Sequence, residues 1–402
     1  MIRFVIGNSR WLSAGLALTF TSSFGQTFFI SIFAAEIMAH YDLTDGEWGT
    51  AYATGTMISG FLMIWAGSLS DYVKVKWLAV MLLGSLACFC AAMAGNASVA
   101  LLPFIIFGLR FCGQGMLHHT AMVGMARWFG LNRGKAVSIA GLGFSIGEAF
   151  LPMLVVALLV FFPWTTLWLG VVGMALLFIP LILWQLSQER RPADAANETT
   201  SLGLGGRHWT RLDVIKNWMF WALFPLVIGP SIYGTVLFFQ QVHLAEVKGW
   251  DHSDLVVLFP LYTATTVVAM LIYGVLIDRF GASRLIPFAQ LPAAIGFLIL
   301  SSTTNFAGAA LSFFFIALMQ GGWSTLGVSF WAEMYGTRYL GSIKAAATAI
   351  MVLGSAVGPA ITGVLIDRGA TFPEQMPGIS LMIVFASALA AYTIYRARLR
   401  YT

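Results

Sequence analysis

Charged residues are scarce in this chain. Only 10% of its 402 residues are Asp, Glu, Lys or Arg, whereas 59% are hydrophobic and the mean hydropathy is +0.83. An ordinary soluble domain is about one quarter charged. The chain therefore has too few charges to cover a water-facing surface, which argues against a soluble globular protein and predicts an integral membrane protein.

Cysteines and catalytic motifs are scarce as well. Cys88, Cys90 and Cys112 all lie in apolar stretches, and their spacing fits no metal site, so we interpret them as small packing residues. The chain has no H-E-x-x-H zinc motif and no phosphate-binding loop. A G-x-S-x-G sequence at 143–147 lies within an apolar stretch, where the strand-turn-helix of a hydrolase cannot form. We therefore expect no metal, no cofactor and no enzymatic activity.

Long apolar stretches recur along the chain. A bilayer core about 30 Å thick needs about 20 apolar residues per helix. Lipid offers no partner for open backbone groups, so helices are the expected spanning form. Twelve suitable stretches are separated by short turns, at about 11–35, 48–70, 77–95, 99–123, 135–160, 166–187, 217–243, 254–277, 285–302, 307–333, 342–366 and 377–396. The sequence thus predicts an all-α integral membrane protein with twelve transmembrane helices.

The positive residues are unevenly distributed. If both termini are cytoplasmic, 19 of the 22 Lys and Arg residues fall on cytoplasmic segments, the exceptions being Lys248, Arg368 and Arg110. Multi-pass membrane proteins show this bias. The net charge of +5 therefore indicates membrane topology and not a nucleic-acid partner. We expect a multi-pass protein of the inner (plasma) membrane, surrounded by the lipid bilayer.

The chain contains an internal repeat. Two blocks with the pattern G-x-L-x-D, at 67–71 and 274–278, lie 207 residues apart, which is close to half of the chain length. Such repeats in an apolar chain are typical of transporters built from two related bundles. A polar, glycine-containing segment lies between the halves. We predict an N-terminal six-helix bundle at 1–187, a cytoplasmic linker at 188–216 and a C-terminal six-helix bundle at 217–402.

The second copy of this block extends to residue 284 as G-V-L-I-D-R-F-G-A-S-R. It resembles throughout the loop signature G-x-L-x-D-R-x-G-x-x-R/K of the major facilitator superfamily. The first copy departs after Asp71, where Tyr72 and Lys74 replace the usual Arg and Gly. The resemblance covers essentially the whole chain and implies the major facilitator fold, with two pseudo-symmetric six-helix bundles.

The resemblance also implies a cytoplasmic gate. Asp71 and Asp278 would hold the cytoplasmic side shut by facing helix N-termini in the opposite half, a contact worth about 0.3–1 kcal/mol. The alternative is that both acids only keep their turns soluble. Other charged residues near the inner helix ends are assigned to the same gate, namely Arg127, Arg279, Glu333 and Arg338.

Within the superfamily, four segments resemble the monocarboxylate and oxalate carrier branch, namely 110–115, 126–129, 133–136 and 141–152. Drug antiporters typically carry a Gly-Pro pair in the fifth helix, whereas Gly147 is followed here by Glu148. The Gly-Pro pair occurs instead at 358–359, in the eleventh helix. This departure weakens the interpretation of the chain as a drug-efflux antiporter, which remains an alternative.

Arg110 and Glu148 are the deepest charges of the first half. Counted from the cytoplasmic ends of their spans, both lie about 14 or 15 residues in, or about 21 Å deep at 1.5 Å per residue. An unpaired charge there costs several kcal/mol, so mutual pairing is the simplest expectation. In the functional hypothesis, Arg110 binds a substrate carboxylate in fork geometry and Glu148 takes up a proton. The alternative is a permanent structural ion pair.

Further polar and aromatic residues near mid-depth complete the predicted site. Substrate contacts are predicted for Gln114, one helical turn from Arg110, and for Gln26, Tyr233, Tyr262, Gln320 and Trp323. Aromatic residues at such positions more often pack than bind, whereas a buried amide needs partners. His118 and His119 are predicted to relay a proton, with a hydrogen-bonded interfacial histidine as the alternative.

Together these features predict a monomeric secondary active transporter that works by alternating access. The favoured cargo is a small organic anion, and specifically a monocarboxylate, moved with a proton, because a dianion would usually attract a second cation. The first alternative is a proton-driven efflux antiporter for amphipathic or cationic compounds, in which Glu148 recognises the positive charge of the compound. A non-transporting sensor or an intramembrane enzyme forms the remaining class.

Overall fold

The computed structural model describes residues 2–67, 69–129, 133–188, 202–336 and 338–401. Within these ranges the regular secondary structure is helical. The principal helices of the first half are α1 (Ser9–Gly25 and Thr27–Tyr41, bent), α2 (Asp45–Ala66), α3 (Val75–Gly95), α4 (Val99–Phe129), α5 (Arg133–Leu159) and α6 (Trp164–Gln185). Those of the second half are α7 (Trp218–Phe239), α8 (His252–Phe280), α9 (Leu291–Ser302), α10 (Phe306–Tyr335), α11 (Leu340–Asp367) and α12 (Phe372–Tyr401).

Most of these helices can cross a membrane. Among the described residues, nine helices are long and apolar enough, and the bent α1 makes a tenth if its two parts form one span. The other two helices are α2, which has 22 residues but does not meet the criterion of length and apolar composition together, and α9, which has only 12 residues. Each of the twelve predicted spans overlaps one of these helices. The expected all-helical membrane fold is confirmed.

The chain forms two compact units, Met1–Glu198 and Thr199–Thr402. In the first unit, α1 packs against α5, α2 against α4, and α3 against α6. In the second unit, α7 packs against α11, α8 against α10, and α9 against α12. The two units therefore use the same pairing of equivalent helices, as a duplicated six-helix bundle would.

The described end of the predicted linker is structured and packs on the second unit. Trp209 is only 1% exposed, and its backbone N–H donates to the carbonyl of Tyr335 at 3.2 Å. The short helix that follows begins with a capping box, in which Thr210 and Asp213 exchange hydrogen bonds. The hydrogen bonds from Thr210 lower the pKa of the Asp213 carboxyl. Residues 189–201 lie outside the described part of the chain.

A break in α1 allows this helix to lie very close to α4. Gln26 has an extended backbone (φ −84°, ψ 155°), and the two parts of α1 are bent by 51°. Next to it, a Cβ on Gly25 would come within 2.1 Å of the carbonyl oxygen of Leu109 and 2.8 Å of Cα of Gly113. Only a residue without a side chain allows this approach of the two backbones.

Gly25→Ala should therefore destabilise the first unit. Overpacking of this kind typically costs about 1–3 kcal/mol, so we expect a lower unfolding temperature for the purified protein in detergent. Gly84→Ala in α3 is the matched control, because a Cβ there would meet nothing within 4 Å. Equal unfolding temperatures for the two variants would contradict the close packing at Gly25.

Candidate functional site

Arg110 lies where α1, α2 and α4 meet in the first unit. It begins a π-helical stretch of α4, Arg110–Leu117, and only 1% of its surface is exposed. Such stretches are frequent at functional sites. Its Nη1 donates to Oγ1 of Thr27 at 3.0 Å and to the carbonyl oxygen of Gly25 at 3.4 Å. The guanidinium therefore bridges the two parts of α1.

The break in α1 explains why a cation is stable at this position. The carbonyl of Gly25 ends the first part of α1, and the C-terminal end of a helix carries a partial negative charge. Tyr52 of α2 is fully buried, and its ring centroid lies 5.3 Å from Cζ of Arg110, within range of a cation–π contact. The hydroxyl groups of Tyr52 and Thr27 lie 2.7 Å apart. Together these groups replace part of the hydration that Arg110 loses on burial.

One edge of the Arg110 guanidinium has no hydrogen-bond partner among the described residues. Among the described residues, nothing accepts a hydrogen bond from Nε or Nη2, although both nitrogens are buried. These two nitrogens form one side of the planar group, and their N–H bonds run in parallel. This is an edge with which arginine binds a carboxylate in bidentate geometry. Arg110 is thus anchored through Nη1 and retains an edge suited to a carboxylate.

The expected ion pair between Arg110 and Glu148 is not formed. The contacts of the guanidinium go to Gly25, Thr27 and Tyr52, which lie on α1 and α2. Glu148 is buried on α5, with 9% of its surface exposed. Depth along a helix can be counted from a sequence, but the direction of a side chain depends on helix rotation. Here the π-helical stretch contributes to that rotation.

Two predicted amides lie at the same contact between α1 and α4 as Arg110. Gln26 is the residue at the break of α1 and is 9% exposed. Gln114 is half-buried on the same π-helical stretch as Arg110, and its backbone lies where α4 packs against Gly25. The backbones of three predicted substrate-binding residues therefore lie at this contact, and their shared role stays a prediction.

Two neighbours of Arg110 were not predicted, namely Thr27 and Tyr52. Neither carries a formal charge, so neither has the burial cost that singled out Arg110. The available signals were weak: Thr27 directly follows Gln26, and Tyr52 is a polar aromatic residue inside a predicted span.

The two predicted relay histidines contact different helices. The ring of His118 lies 5.9 Å from the ring of Phe144 on α5, in an edge-to-face arrangement. Nε2 of His119 instead lies 3.1 Å from the carbonyl oxygen of Gly67 at the end of α2. The position of His119 fits the alternative of a hydrogen-bonded histidine near a helix end.

Part of the predicted gate is held by α4. Nη1 of Arg127 donates to the backbone carbonyl of Ser70, in the turn after α2. Asp71 belongs to the short helix Leu69–Tyr72, but its side chain lies outside the described residues. Arg127 and His119 therefore both tie this turn to α4 of the same unit.

Glu333 has the corresponding position in the second unit. Its carboxylate accepts hydrogen bonds from the backbone N–H groups of Ala282 at 2.7 Å and Ser283 at 3.1 Å, and from the hydroxyl of Ser283. Arg398 of α12 donates to Oγ of Ser283 at 2.6 Å and lies 3.9 Å from Glu333. The turn after α8 is thereby tied to α10 and α12. Arg398 was not predicted, because it lies among three arginines at the end of the chain.

The other predicted gate residues of the second unit are exposed. Asp278 and Arg279 lie at the end of α8, and the guanidinium of Arg279 lies over the neighbouring ring of Phe280. Arg338 lies over the ring of Tyr339 in the same way. These contacts are local, and the gate role of all three residues stays a prediction.

The two tyrosines predicted as substrate residues in the second unit are engaged in hydrogen bonding and packing. Tyr233 donates to Oε1 of Gln290 at 2.5 Å, and Gln290 in turn donates to the carbonyl of Leu226 at 2.6 Å. Tyr262 packs edge-on against Phe238, with ring centroids 5.2 Å apart. These contacts favour the packing alternative for both tyrosines.

The remaining predicted substrate residues lie on α10. Gln320 is half-buried and Trp323 is 8% exposed. None of the described side chains of the second unit is both charged and buried, whereas the first unit buries Arg110 and Glu148. Among the described residues, the buried charged side chains therefore lie in the first unit.

Residues 15–359 and 241–400 match the sequence model of the Major Facilitator Superfamily. The chain belongs to this superfamily. It is therefore a multi-pass membrane transporter of a small molecule and not an enzyme. The shared helix pairing of the two units agrees with this membership.

Solved structures share the fold at low sequence identity. A bacterial homolog of the human lysosomal transporter Spinster, inward-facing and occupied, aligns with a TM-score of 0.72 at 15% identity, over 97% of this chain and 96% of that chain. The nucleoside transporter NupG aligns with a TM-score of 0.71 at 14% identity, over 98% of this chain and 100% of that chain. An uncharacterized 38 kDa protein in the 23S RNA operon of Thermoproteus tenax is 25% identical over 320 residues, 78% of this chain and 77% of the relative. These likenesses show the fold and leave the substrate open.

The two histidines should respond differently to substitution. His119→Ala removes the contact with Gly67, so we expect slower transport at every pH with an unchanged pH profile. His118→Ala should change the pH profile if His118 transfers protons. The measurement is the initial rate at which proteoliposomes take up the transported substrate between about pH 5 and 8, the range in which an ordinary histidine titrates. Unchanged profiles in both variants would exclude the histidine relay.

Proposed function

We propose that this protein is a secondary active transporter of a small organic anion, preferably a monocarboxylate, moved together with a proton by alternating access. It acts as a monomer in the inner (plasma) membrane, with both termini in the cytoplasm. The observation that carries the proposal is the buried edge of Arg110, whose Nε and Nη2 have no acceptor among the described residues.

A single carboxylate suits this edge. Its two oxygens accept the two parallel N–H bonds of Nε and Nη2, and charge-assisted bonds of this kind are about twice as strong as neutral ones. Arg110 is the only buried cation among the described residues. A second carboxylate on a dianion would therefore lack a buried positive partner, which supports a monocarboxylate.

The other site residues receive supporting roles. Thr27 and Tyr52 hold Arg110 through the contacts described above, and Gln26 and Gln114 add neutral hydrogen-bonding groups beside it. The second unit would contribute neutral groups and shape, through Tyr233, Tyr262, Gln320 and Trp323. The inner gate would consist of Asp71, Arg127, Asp278, Arg279, Glu333 and Arg338.

Glu148 is the proposed proton carrier, with His118 and His119 as the proposed relay. Glu148 is the only buried carboxyl group among the described residues. Carboxyl groups inside membrane spans often serve in proton pathways, because they can be neutral or charged. Since Glu148 is not bound to Arg110, an anion can occupy Arg110 without first displacing this carboxylate.

The first test is the uptake of labelled lactate, pyruvate, acetate and oxalate into proteoliposomes, with and without an inward proton gradient. Arg110→Lys keeps the charge but loses the parallel N–H pair. A hydrogen bond to a charged group contributes about 1.5–3 kcal/mol, so we expect at least about tenfold slower uptake. Arg211→Lys is the control, because it makes the same change at an exposed position.

Two outcomes of the uptake measurement would contradict the proposed carboxylate site. Wild-type uptake rates in Arg110→Lys would disprove bidentate recognition. Uptake of labelled uridine in place of every acid would show that the cargo is a neutral molecule, as the name of the nucleoside transporter NupG indicates for that protein.

Glu148→Gln tests the proton coupling. The amide resembles the protonated carboxyl group in shape and has no charge, so we expect exchange of labelled for unlabelled substrate across the membrane to continue. Accumulation driven by a proton gradient should be lost. The control is Glu374→Gln, which replaces an exposed carboxyl group. Gradient-driven accumulation in Glu148→Gln would assign the coupling to another group.

The second candidate function is proton-driven export of an amphipathic or cationic compound. The buried carboxyl group of Glu148, which is not bound to Arg110, favours it, because a buried acid attracts a cation. Expulsion of a lipophilic cation from proteoliposomes, without uptake of any acid, would favour this function.

A further inference from the structure

A pocket lies at the end of α12 in the second unit. Its lining residues are Trp218, at the start of α7, and Tyr392, Arg396, Leu399 and Arg400 of α12, and its volume is about 580 Å³. We call it the α12-end pocket. The four residues of α12 follow the spacing i, i+4, i+7 and i+8, so they share one face of the helix. The distribution of positive residues predicts that this helix end is cytoplasmic.

Arg396 and Arg400 supply positive charge to the pocket. Both are exposed, and neither forms a hydrogen bond or an ion pair with the described residues. Arg398, which lies between them in sequence, is held by Ser283 and Glu333. Arg398 therefore makes internal contacts, whereas Arg396 and Arg400 do not. Residues four apart on a helix are neighbours, with Cβ atoms about 5–6 Å apart.

The rest of the pocket is aromatic and apolar. Trp218 is 38% exposed, Tyr392 58% and Leu399 63%. Trp and Tyr are enriched where a membrane meets water, and apolar residues such as Leu399 face lipid chains at no cost. A dissolved inorganic anion gains little from such neighbours. A ligand with a negative headgroup and hydrocarbon chains contacts both parts of the pocket.

We propose that the α12-end pocket binds the headgroup of an anionic phospholipid. The phosphodiester oxygens accept charge-assisted hydrogen bonds from Arg396 and Arg400. The acyl chains lie against Leu399 and the ring of Trp218, and the hydroxyl of Tyr392 lies at the level of the headgroup. Basic pockets between transmembrane helices on the cytoplasmic side are suited to such lipids. Because Trp218 belongs to α7, a bound lipid links α7 to α12.

The test is native mass spectrometry of the purified full-length protein with equal amounts of phosphatidylglycerol and phosphatidylcholine. Each arginine near an anionic headgroup contributes about fivefold to binding, so Arg396→Gln/Arg400→Gln should reduce the preference for phosphatidylglycerol by about thirtyfold. Lys74→Gln/Arg211→Gln removes the same charge from exposed positions outside the pocket and should keep the preference. Arg396→Lys/Arg400→Lys should keep most of it, which separates loss of charge from loss of folding.

Three results would overturn the lipid site. The first is an equal preference in wild type and Arg396→Gln/Arg400→Gln. The second is an equal loss of preference in Lys74→Gln/Arg211→Gln. The third is displacement of phosphatidylglycerol by millimolar inorganic phosphate, which would indicate a site for free phosphate. The site is independent of transport, so Arg110→Lys should bind phosphatidylglycerol like wild type even if it transports no acid.

Discussion

A guanidinium removed from water needs replacements for its hydration, and the packing around Arg110 follows from that need. The replacements are the carbonyl of Gly25, the hydroxyl of Thr27 and the ring of Tyr52, which come from two helices other than its own. The carbonyl of Gly25 is accessible because α1 breaks at Gln26. The break in turn lies against α4 at a contact that tolerates no side chain at Gly25. The helix break, the close packing and the burial of Arg110 therefore depend on one another. A substitution that changes one of these features should alter the other two.

The two units share their helix pairing but differ in their polar interiors. In the first unit the charged side chain of Arg110 is buried, and two of its nitrogens have no hydrogen-bond partner among the described residues. In the second unit, Tyr233 donates a hydrogen bond to Gln290, and Gln290 donates one to the carbonyl of Leu226. These buried groups carry no charge. Both units nevertheless hold the equivalent turn, after α2 and after α8, by side chains from neighbouring helices: Arg127 and His119 in the first, Glu333 and Arg398 in the second. The two units thus share their helix pairing and the fixing of this turn, and they differ in the described polar side chains of their interiors.

Hydropathy and charge distribution predicted the all-helical membrane fold, because lipid restricts a span to about 20 residues of helix and the turns carry the charges. The two-unit organisation was predicted from the internal repeat and the loop signature. The expected depth of Arg110 required only counting along a helix. The partner of Arg110 could not be obtained in this way. The direction of the Arg110 side chain depends on the π-helical stretch and on the break in α1, which lies against α4 at a contact between helices that are distant in sequence. Tyr52 and Thr27 were not predicted for the same reason. A neutral hydroxyl group can be identified as part of a site only when its neighbours in space are known.

The separation of Arg110 from Glu148 bears directly on the proposed proton coupling. With the site empty, the two formal charges cancel in sum. In the proposed mechanism, a bound monocarboxylate neutralises Arg110, and uptake of one proton by Glu148 returns the total charge of the site and its cargo to zero. The state that carries both anion and proton would then cross most easily, because charge inside the membrane is costly. Had the two side chains formed a tight ion pair, the substrate would have had to displace a buried carboxylate before binding, and removing one partner from such a pair costs about 3–5 kcal/mol. An arginine held by neutral groups avoids this cost, and in the proposed mechanism anion and proton bind at different places while the total charge couples them.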